Sequence, residues 1–250
     1  MDKPGSSGYF VYGINPVRER LKIISQGVLF IKKNVQQARL SEIVEKARSK
    51  NIAVNYLDAE SFEKFFMNFN HQGVVLKVDR DFTEHISDKE FAEYLEGFAS
   101  KKSSLLILDG IQDVGNLGAV LRSALLFDAD GVIMPKDNSA PLTNVVEKRS
   151  SGAAALLKIM YVTNIVRIME IMKDSGYWIY GADKEGQSIK SVDFNDKSVI
   201  VIGQENTGIR PLVKKNCDLL VSIPTNNKID SLNLSVSAGI FLYQRYIKNL

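Results

Sequence analysis

The sequence predicts an α/β protein whose larger, C-terminal part is built around a mainly parallel sheet. Short apolar runs alternate with amphipathic helical patterns along most of the chain, which is typical of strands joined by helices. The run SLLILD (104–109) is apolar almost throughout, as expected of a strand that is covered on both faces. With 250 residues, the chain is long enough for one or two domains. We therefore expect a parallel-sheet domain preceded by a smaller one.

The first 80 residues predict a small α/β domain. Helical spacing of apolar residues indicates helices at 17–25, at 39–50 and over 58–66. Extended apolar runs indicate strands at 28–33, 52–57 and 73–78. Residues 81–103 are rich in charge and are predicted to be a tether. A helical stripe within this tether indicates that it leads into the first helix of the next domain, and its members are Phe91, Tyr94, Leu95 and Phe98.

Residues 104–250 continue the alternation and are predicted to form one domain. Strands are predicted at 104–109, 131–134, 157–162, 178–183, 198–203 and 219–224. Helices are predicted at 116–129, 142–150, 164–176, 209–217 and 231–249. No internal repeat or low-complexity tract interrupts this order, so one sheet accounts for the whole segment.

Composition excludes several classes of protein. Apolar residues make up 45% of the chain and charged residues 24%, which is the profile of a globular protein rather than a disordered one. No apolar run approaches the roughly 18 residues of a membrane span, and the N-terminal MDKPGSSGYF lacks the apolar core of a signal peptide. The single cysteine, Cys217, cannot form an internal disulfide. We therefore expect a cytoplasmic protein with no membrane partner.

Metal sites and nucleotide-phosphate sites are not indicated. His71 and His85 have no partner at metal-ligand spacing, and one cysteine with two histidines cannot build a cysteine-rich zinc site. The glycine fingerprint of dinucleotide-binding domains is missing. GQENTGIR (203–210) has the glycine spacing of a P-loop, but Ile209 and Arg210 stand where that loop needs Lys and Ser or Thr. The net charge of +3 permits a nucleic-acid partner without establishing one.

Three segments carry a specific resemblance, and they are LDGIQDVGNLGAVLRSALLFDADGVI (108–133), VIVIGQENTGIRPLVKKNCDLLVSIP (199–224) and SLNLSVSAGIFLY (231–243). In content and order they resemble the three motifs of the SpoU-type RNA 2′-O-ribose methyltransferases, the TrmH family of the SPOUT superfamily, which use S-adenosylmethionine. The resemblance spans 104–250, and NSAPLTNVVEKRSSGAA (138–154) fits it too. One departure is Val114, where the first motif usually has Pro.

The N-terminal part is similar to the small, ribosomal-protein-like RNA-binding domain of the rRNA-modifying members, which often ends near a His-Gln-Gly such as 71–73. The resemblance implies that residues 1–80 bind the RNA substrate. It implies that 104–250 form the methyltransferase domain with a deep trefoil knot, in which the chain around 203–230 threads a loop. It also implies a homodimer through this C-terminal domain, with no metal.

The reaction implied by the resemblance is methyl transfer from S-adenosylmethionine to a ribose 2′-hydroxyl of rRNA, most like the bacterial enzymes that modify a guanosine of 23S rRNA. Two alternatives remain open: a tRNA ribose 2′-O-methyltransferase, and a non-catalytic rRNA-binding assembly factor. The N-terminal domain favours rRNA, because the tRNA members more often carry short terminal extensions. Retention of the motif residues favours an enzyme.

Asn116 and Arg122 are the candidate catalytic residues of the first motif. Asn116 follows a predicted strand end, where α/β sheets place ligands, and its carboxamide can accept a hydrogen bond and donate one at once. Arg122 is expected on the same early stretch of helix, where its guanidinium can fork onto a phosphate. Taken alone, the two residues would be interpreted as a helix N-cap and a surface arginine. The resemblance favours the catalytic interpretation.

The second and third motifs supply the remaining candidates. The resemblance makes Glu205 an active-site acid, which we expect to hold Arg122 or Asn116 in place. Ser231 and Asn233 are expected to begin the last helix and to face the reacting centre, although alone they would be interpreted as an N-cap serine and a first-turn asparagine. The glycines of the second motif would let a ligand approach the main chain. The resemblance assigns cofactor contacts to Gly203, Ile223 and Leu232.

Other residues are expected to be structural. Cys217 has no His near it in the sequence and is not expected to be a nucleophile, and Trp178 is expected to pack. An apolar stripe on the last helix predicts core or dimer packing, and its members are Ile240, Leu242, Tyr243 and Tyr246. A basic run is either a solvated face or an RNA-contacting face, and its members are Lys32, Lys33, Arg39, Lys46, Arg48 and Lys50.

Overall fold

The computed structural model of the protein describes residues 9–24, 26–34, 40–67, 70–78, 84–99, 101–226, 228 and 231–248. The chain forms two compact units. The first lies within Met1–Phe82 and adds Leu142–Leu156, and the second comprises Thr83–Pro141 and Leu157–Leu250. Both units are α/β, and the second contains a parallel sheet, so the predicted α/β class with a parallel-sheet C-terminal domain is confirmed.

The first unit is a four-stranded sheet with helices on both faces. Its elements in this part of the chain are β1 (Tyr9–Tyr12), α1 (Ile14–Ile23), β2 (Val28–Lys32), α2 (Ser41–Ser49), β3 (Ala53–Leu57), α3 (Ala59–Phe66) and β4 (Val74–Val78). The strand order is β1-β4-β2-β3, with β2 and β3 parallel and β4 antiparallel to both of its neighbours. Helices α1 and α2 bury one face, and α3 buries the other through Phe62 and Phe66.

Two elements of this unit differ from the prediction. Strand β1 was not predicted from the sequence. Helix α1 begins at Ile14 rather than at residue 17, so that Pro16 falls within the first turn. Proline is tolerated there because the first N–H groups of a helix have no partner within it.

The second unit is built on seven strands. It begins with β5 (Glu84–His85), α4 (Asp88–Glu96), β6 (Ser103–Leu108), α5 (Val114–Leu126) and β7 (Gly131–Pro135). The chain then passes through α6 (Asn144–Arg149) and α7 (Ala153–Leu156) of the first unit. The second unit continues with β8 (Ile159–Val162), α8 (Ile165–Asp174), β9 (Trp178–Ser188), β10 (Lys197–Ile202), α9 (Pro211–Lys215), β11 (Leu219–Ser222) and α10 (Leu234–Lys248).

The strand order of this sheet is β11-β9-β10-β6-β7-β8-β5, and every neighbouring pair is parallel. All six residues of β6 are buried, as its apolar run predicts. The helical stripe of the tether is present as α4, which buries Phe91 and Leu95. Trp178 begins β9 but is 44% exposed, so the expectation that it packs is wrong; Ile179 and Tyr180 take the buried positions instead.

Residues 142–156, which the sequence places in the C-terminal domain, pack with the first unit. Here α6 contacts β1 and α7 contacts α1. Val146 and Glu147 are buried, and Glu147 Oε2 lies 4.0 Å from the guanidinium of Arg20. Burial raises the pKa of Glu147 to about 8, and Arg20 opposes this rise. The short alanine-rich pattern of α7 gives no signal for which unit it joins, and this helix was not predicted.

Candidate active site

The sheet of the second unit places four strands side by side. β6, β10, β9 and β11 are parallel neighbours in that order, so their carboxyl ends lie along one edge. Parallel α/β sheets bind ligands outside the carboxyl ends of their strands. A cavity of about 610 Å³ lies there, lined by 182–185 of β9, by the segments after β10 and β11, and by residues at and before the start of α10. That volume is within the roughly 300–1,000 Å³ of small-molecule sites.

The loop after β10 closes tightly on itself. Gln204 and Gly208 exchange backbone hydrogen bonds with N–H···O distances of 2.9 and 3.0 Å, and Gly208 has a φ of +69°, which favours glycine. A Cβ on Gly203 would lie 2.1 Å from the carbonyl carbon of Gly208. Gly203 does line the cavity, but its missing side chain makes room for the returning loop rather than for a ligand.

A buried carboxylate ties this loop to the end of β6. Asp109 is fully buried and accepts hydrogen bonds from the backbone N–H of Arg210 at 2.9 Å and from its Nε at 2.7 Å. Charge-assisted contacts of this kind are stronger than neutral ones, so Asp109 firmly links the end of β6 to the end of the loop that carries Glu205. In the sequence, Arg210 is notable only as a mismatch to a P-loop, and Asp109 was not predicted to be a functional residue. The available signal was an acid directly after an apolar strand.

Asn116, Glu205 and Asn233 form one hydrogen-bonded cluster. Asn116 Nδ2 donates to Glu205 Oε2 at 3.1 Å, and Asn233 Nδ2 donates to Asn116 Oδ1 at 3.2 Å. Asp113, the N-cap of α5, accepts from the backbone N–H of Asn116 at 2.6 Å and so fixes the first turn. Both ends of the Asn116 carboxamide are thereby oriented, and each end can still make a further hydrogen bond to a ligand.

Asn233 also caps the last helix. Its Oδ1 accepts hydrogen bonds from two backbone N–H groups of the first turn of α10, at 2.9 and 3.4 Å. The alternative that made Ser231 the cap is wrong, because the helix begins at Leu234. Ser231 and Leu232 precede the helix and line the cavity, together with Ile223 from the segment after β11.

A smaller hollow of about 180 Å³ adjoins the cavity. The cavity and the hollow share three lining residues, which are Gln204, Glu205 and Leu234. Asp113 and Asn116 line the hollow but not the cavity. Glu205 therefore borders both spaces, and the amide to which it is bonded faces the smaller, polar one.

Arg122 is not brought to this cluster by α5. It follows Asn116 by six residues, which at 3.6 residues per turn is about 240° around the helix axis. The side chain is exposed and lines neither the cavity nor the hollow. Asn116 and Arg122 both lie on α5, in its first and third turns, but on different sides of the helix. Val114 is the first residue of α5, a position that Pro also favours because the N–H group there has no partner within the helix. Replacing the usual Pro by Val therefore loses no helical hydrogen bond.

Asp183, which lines the cavity, forms an ion pair with Lys214. Burial opposes ionisation of Asp183, but the hydrogen bonds from Lys214 and from the Glu185 N–H hold the pKa of Asp183 below its ordinary value. The Lys214 Nζ lies 2.7 Å from Asp183, and this pairing raises the pKa of Lys214. Burial raises the pKa of the Cys217 thiol to about 12, which agrees with its exclusion as a nucleophile.

Metal-ligating and membrane-spanning features are missing from the described part of the chain. No group of three or more His, Cys, Asp or Glu side chains in it could hold a metal ion. None of its helices is both long and apolar enough to cross a bilayer.

Comparisons with known proteins agree with this architecture. Residues 103–243 match the SpoU rRNA Methylase family, and residues 10–83 match the RNA 2′-O ribose methyltransferase substrate binding family. The chain is 38% identical to the 23S rRNA (guanosine-2′-O-)-methyltransferase RlmB of Neisseria meningitidis over 96% of both chains. It is 36% identical to the Coxiella burnetii protein of the same name, over 94% of this chain and 93% of that one.

A solved structure shares the fold. The AdoMet-bound rRNA methyltransferase from Sinorhizobium meliloti superposes with a TM-score of 0.78 at 18% identity, over 97% of this chain and 88% of that one. Together with the match over 103–243, the identities to the two relatives settle the classification. The chain belongs to the SpoU rRNA methylase family.

Proposed function

We propose that the protein transfers a methyl group from S-adenosylmethionine to the 2′-hydroxyl of a guanosine ribose in 23S rRNA. The observation that carries this proposal is the oriented Asn116 carboxamide, held by Glu205 and Asn233 beside a cavity of small-molecule size. The names of the Neisseria and Coxiella relatives support the rRNA guanosine. The match of residues 10–83 to a substrate-binding family supports an RNA substrate.

The lining of the cavity fits S-adenosylmethionine. Ile223, Leu232 and Phe241 offer apolar surface for an adenine ring, while the hydroxyls of Ser222 and Ser237 can bind the polar parts of such a ligand. When bound, this cofactor supplies a sulfonium methyl that is already reactive, so the enzyme mainly has to align the acceptor oxygen and exclude water.

The chain's own contribution to the reaction is positioning. Asn116 orients the 2′-hydroxyl through its free hydrogen-bonding capacity, and Glu205 and Asn233 prevent its carboxamide from rotating. Ser231, at the cavity wall, contacts the cofactor or the ribose. Arg122 binds a phosphate of the RNA next to the target ribose, since a guanidinium stays protonated and acts as a fork rather than as a base. The hydroxyl proton passes to that phosphate or to a water molecule.

The finer architecture follows from the family resemblance. We infer that the chain around 203–230 threads a loop to form a deep trefoil knot, and that 104–250 and 1–80 divide catalysis and RNA binding between them. We also infer a cytoplasmic homodimer joined through the C-terminal domain. Exposed apolar side chains on α5 and α10 support such an interface, and they are Leu126, Val236, Tyr243 and Ile247.

Methyl transfer to isolated RNA tests the proposal. Protein is incubated with labelled S-adenosylmethionine and either 23S rRNA or bulk tRNA, and the RNA is digested to nucleosides. We expect 2′-O-methylguanosine from the 23S rRNA arm. Incorporation into tRNA alone would select the tRNA alternative, and cofactor binding without any transfer would select the non-catalytic assembly factor.

A further inference from the structure

A cleft of about 370 Å³ in the first unit has no part in the site described above. It lies between α2 and the carboxyl-terminal ends of the parallel strands β2 and β3, the same topological position that the cavity occupies in the second unit. The lining residues are Ile31, Lys32, Lys33, Asn34, Leu40, Ser41, Val44, Glu45, Arg48 and Tyr56.

The floor of this cleft is apolar and one wall is aromatic. Ile31, Leu40 and Val44 form the floor with exposures of 4%, 3% and 9%. Tyr56 pairs with Ile31 across β2 and β3 and is 44% exposed, although it lies on a strand of the sheet. An exposed ring beside an apolar floor is the arrangement on which unstacked nucleobases bind.

The rim of the cleft is cationic. Lys33 and Arg48 are exposed. Lys33 also interacts electrostatically with the Asp58 carboxylate. Among the described residues of the lining, Glu45 is the one acid. Helix α2 begins at the cleft with Leu40 at its N-cap.

The basic run of the sequence separates into distinct roles. Lys32 is bound to Glu63 at 2.6 Å, and Lys50 donates to the carbonyls of Lys22 and Ile24 at the end of α1, at 2.6 and 3.0 Å. Lys46 is exposed but does not line the cleft, because it lies about 200° around α2 from Arg48. Arg39 lies outside the described residues. Only part of the run is therefore a general solvated face.

We propose that this cleft binds one nucleotide of a single-stranded segment of the RNA substrate. The base stacks on Tyr56 over the apolar floor, and the flanking phosphates contact Lys33 and Arg48. A duplex is disfavoured, because its bases are stacked and paired and cannot enter a hollow of this kind. The proposal rests on the proposed function in one respect, that the substrate is RNA.

Binding of a labelled RNA to the full-length protein without cofactor tests the proposal by fluorescence anisotropy. We expect Tyr56→Ala to weaken binding of a single strand about tenfold, and Tyr56→Phe to restore it. Arg48→Gln should weaken binding several-fold and reduce the salt dependence by about 0.7 in the log–log slope. Lys46→Gln is the matched control, since it removes the same charge from the same helix outside the cleft, and it should leave affinity within about twofold.

Any of three outcomes would overturn the proposal that the cleft binds a nucleotide. Lys46→Gln could weaken binding as much as Arg48→Gln, Tyr56→Ala could bind as wild type with an unchanged melting temperature, or duplex RNA could bind as tightly as the single strand. Methyl transfer on the same preparations separates this proposal from the proposed function. If the variants transfer methyl groups and bind RNA as the wild type does, the cleft proposal is wrong and the proposed function stands. If the variants lose affinity as expected but no protein 2′-O-methylates the RNA, the proposed function is wrong and the cleft proposal stands.

Discussion

The two units place their cavities by the same rule and equip them with opposite chemistry. In each unit the space lies at the carboxyl ends of parallel strands. In the second unit the described lining holds glycine, amide and hydroxyl groups and four charged side chains, three of them acidic, which suits a small ligand that must be aligned. In the first unit it has a cationic rim and an exposed ring, which suits a polyanion that must be held. Topology thus places a site, and its side chains decide the ligand.

A buried carboxylate in each unit differs in how many hydrogen bonds it accepts. Asp109 in the second unit accepts hydrogen bonds from the backbone and side chain of Arg210. Glu147 in the first unit is equally buried, yet its oxygens accept no hydrogen bond from the described residues. A buried charge with satisfied oxygens holds its surroundings in place, whereas one without them is driven towards its neutral form.

The largest effect is expected from Gly203→Ala, which breaks the loop that borders the cavity. The new Cβ would lie 2.1 Å from the Gly208 carbonyl carbon, so the loop cannot close. We expect calorimetry to show a loss of cofactor affinity of at least about 100-fold. Gly239→Ala is the control, because its Cβ meets only Ser123 Oγ at 3.6 Å, an ordinary contact. Equal affinities in the two variants would contradict the role given to the loop.

Asn116→Ala separates alignment from binding in the second unit. The substitution removes the carboxamide but not the cavity wall, since Asn116 lines only the hollow. Single-turnover methyl transfer should fall about 100-fold, because small misplacements of a reacting group are that costly. Cofactor affinity should stay within about threefold. A parallel fall in both quantities would show that Asn116 supports the cavity rather than the acceptor.

Arg122→Lys tests the phosphate fork. Lysine keeps the charge but loses the planar, bidentate geometry, so turnover should fall by up to about 100-fold at unchanged cofactor affinity. The rate should stay low at every pH. A pH–rate profile that climbs to near wild-type values at alkaline pH would show instead that the side chain at 122 takes the proton.

Glu147→Gln is expected to change stability and to leave cofactor binding and methyl transfer unaffected. The pKa of Glu147 is raised from 4.5 to about 8, so the folded chain holds a proton that the unfolded chain releases between these values. The unfolding free energy of the wild type should therefore decline as pH rises from about 5 to about 8, by on the order of 3 kcal/mol. Urea unfolding of both proteins over this range should show that the variant lacks the decline. Parallel curves would mean that Glu147 is ionised throughout.

The sequence predicted what depends on local pattern. The buried run of β6, the stripe of α4 and most strand positions follow from periodicity, and the motifs brought Asn116 and Glu205 to notice as residues of one site. Their separation of 89 positions gives no local signal for that contact. It arises because β6 and β10 are neighbours in the sheet, which only the strand order reveals.

The features that were predicted wrongly or missed depend on helix geometry, on where a helix starts and on contacts between residues far apart in the sequence. Arg122 and Asn116 were grouped because both were expected on one helix, but six residues on α5 separate the two side chains by about 240° around its axis. Placing the start of α10 at Ser231 hid the cap formed by Asn233, which also holds Asn116. Asp109 lies inside the first motif but was missed, because its role comes from its contact with Arg210, 101 positions away.

The position of the methyl group in the product tests the central claim most directly. Labelled methyl groups transferred to 23S rRNA by the wild-type protein can be located by digestion to nucleosides and mass spectrometry, which separates ribose from base methylation. We predict that the label is found on the ribose of guanosine as 2′-O-methylguanosine and is about 100-fold weaker with Asn116→Ala. Label on a base, or equal label from the two proteins, would contradict the assignment of the Asn116 cluster to alignment of a ribose hydroxyl.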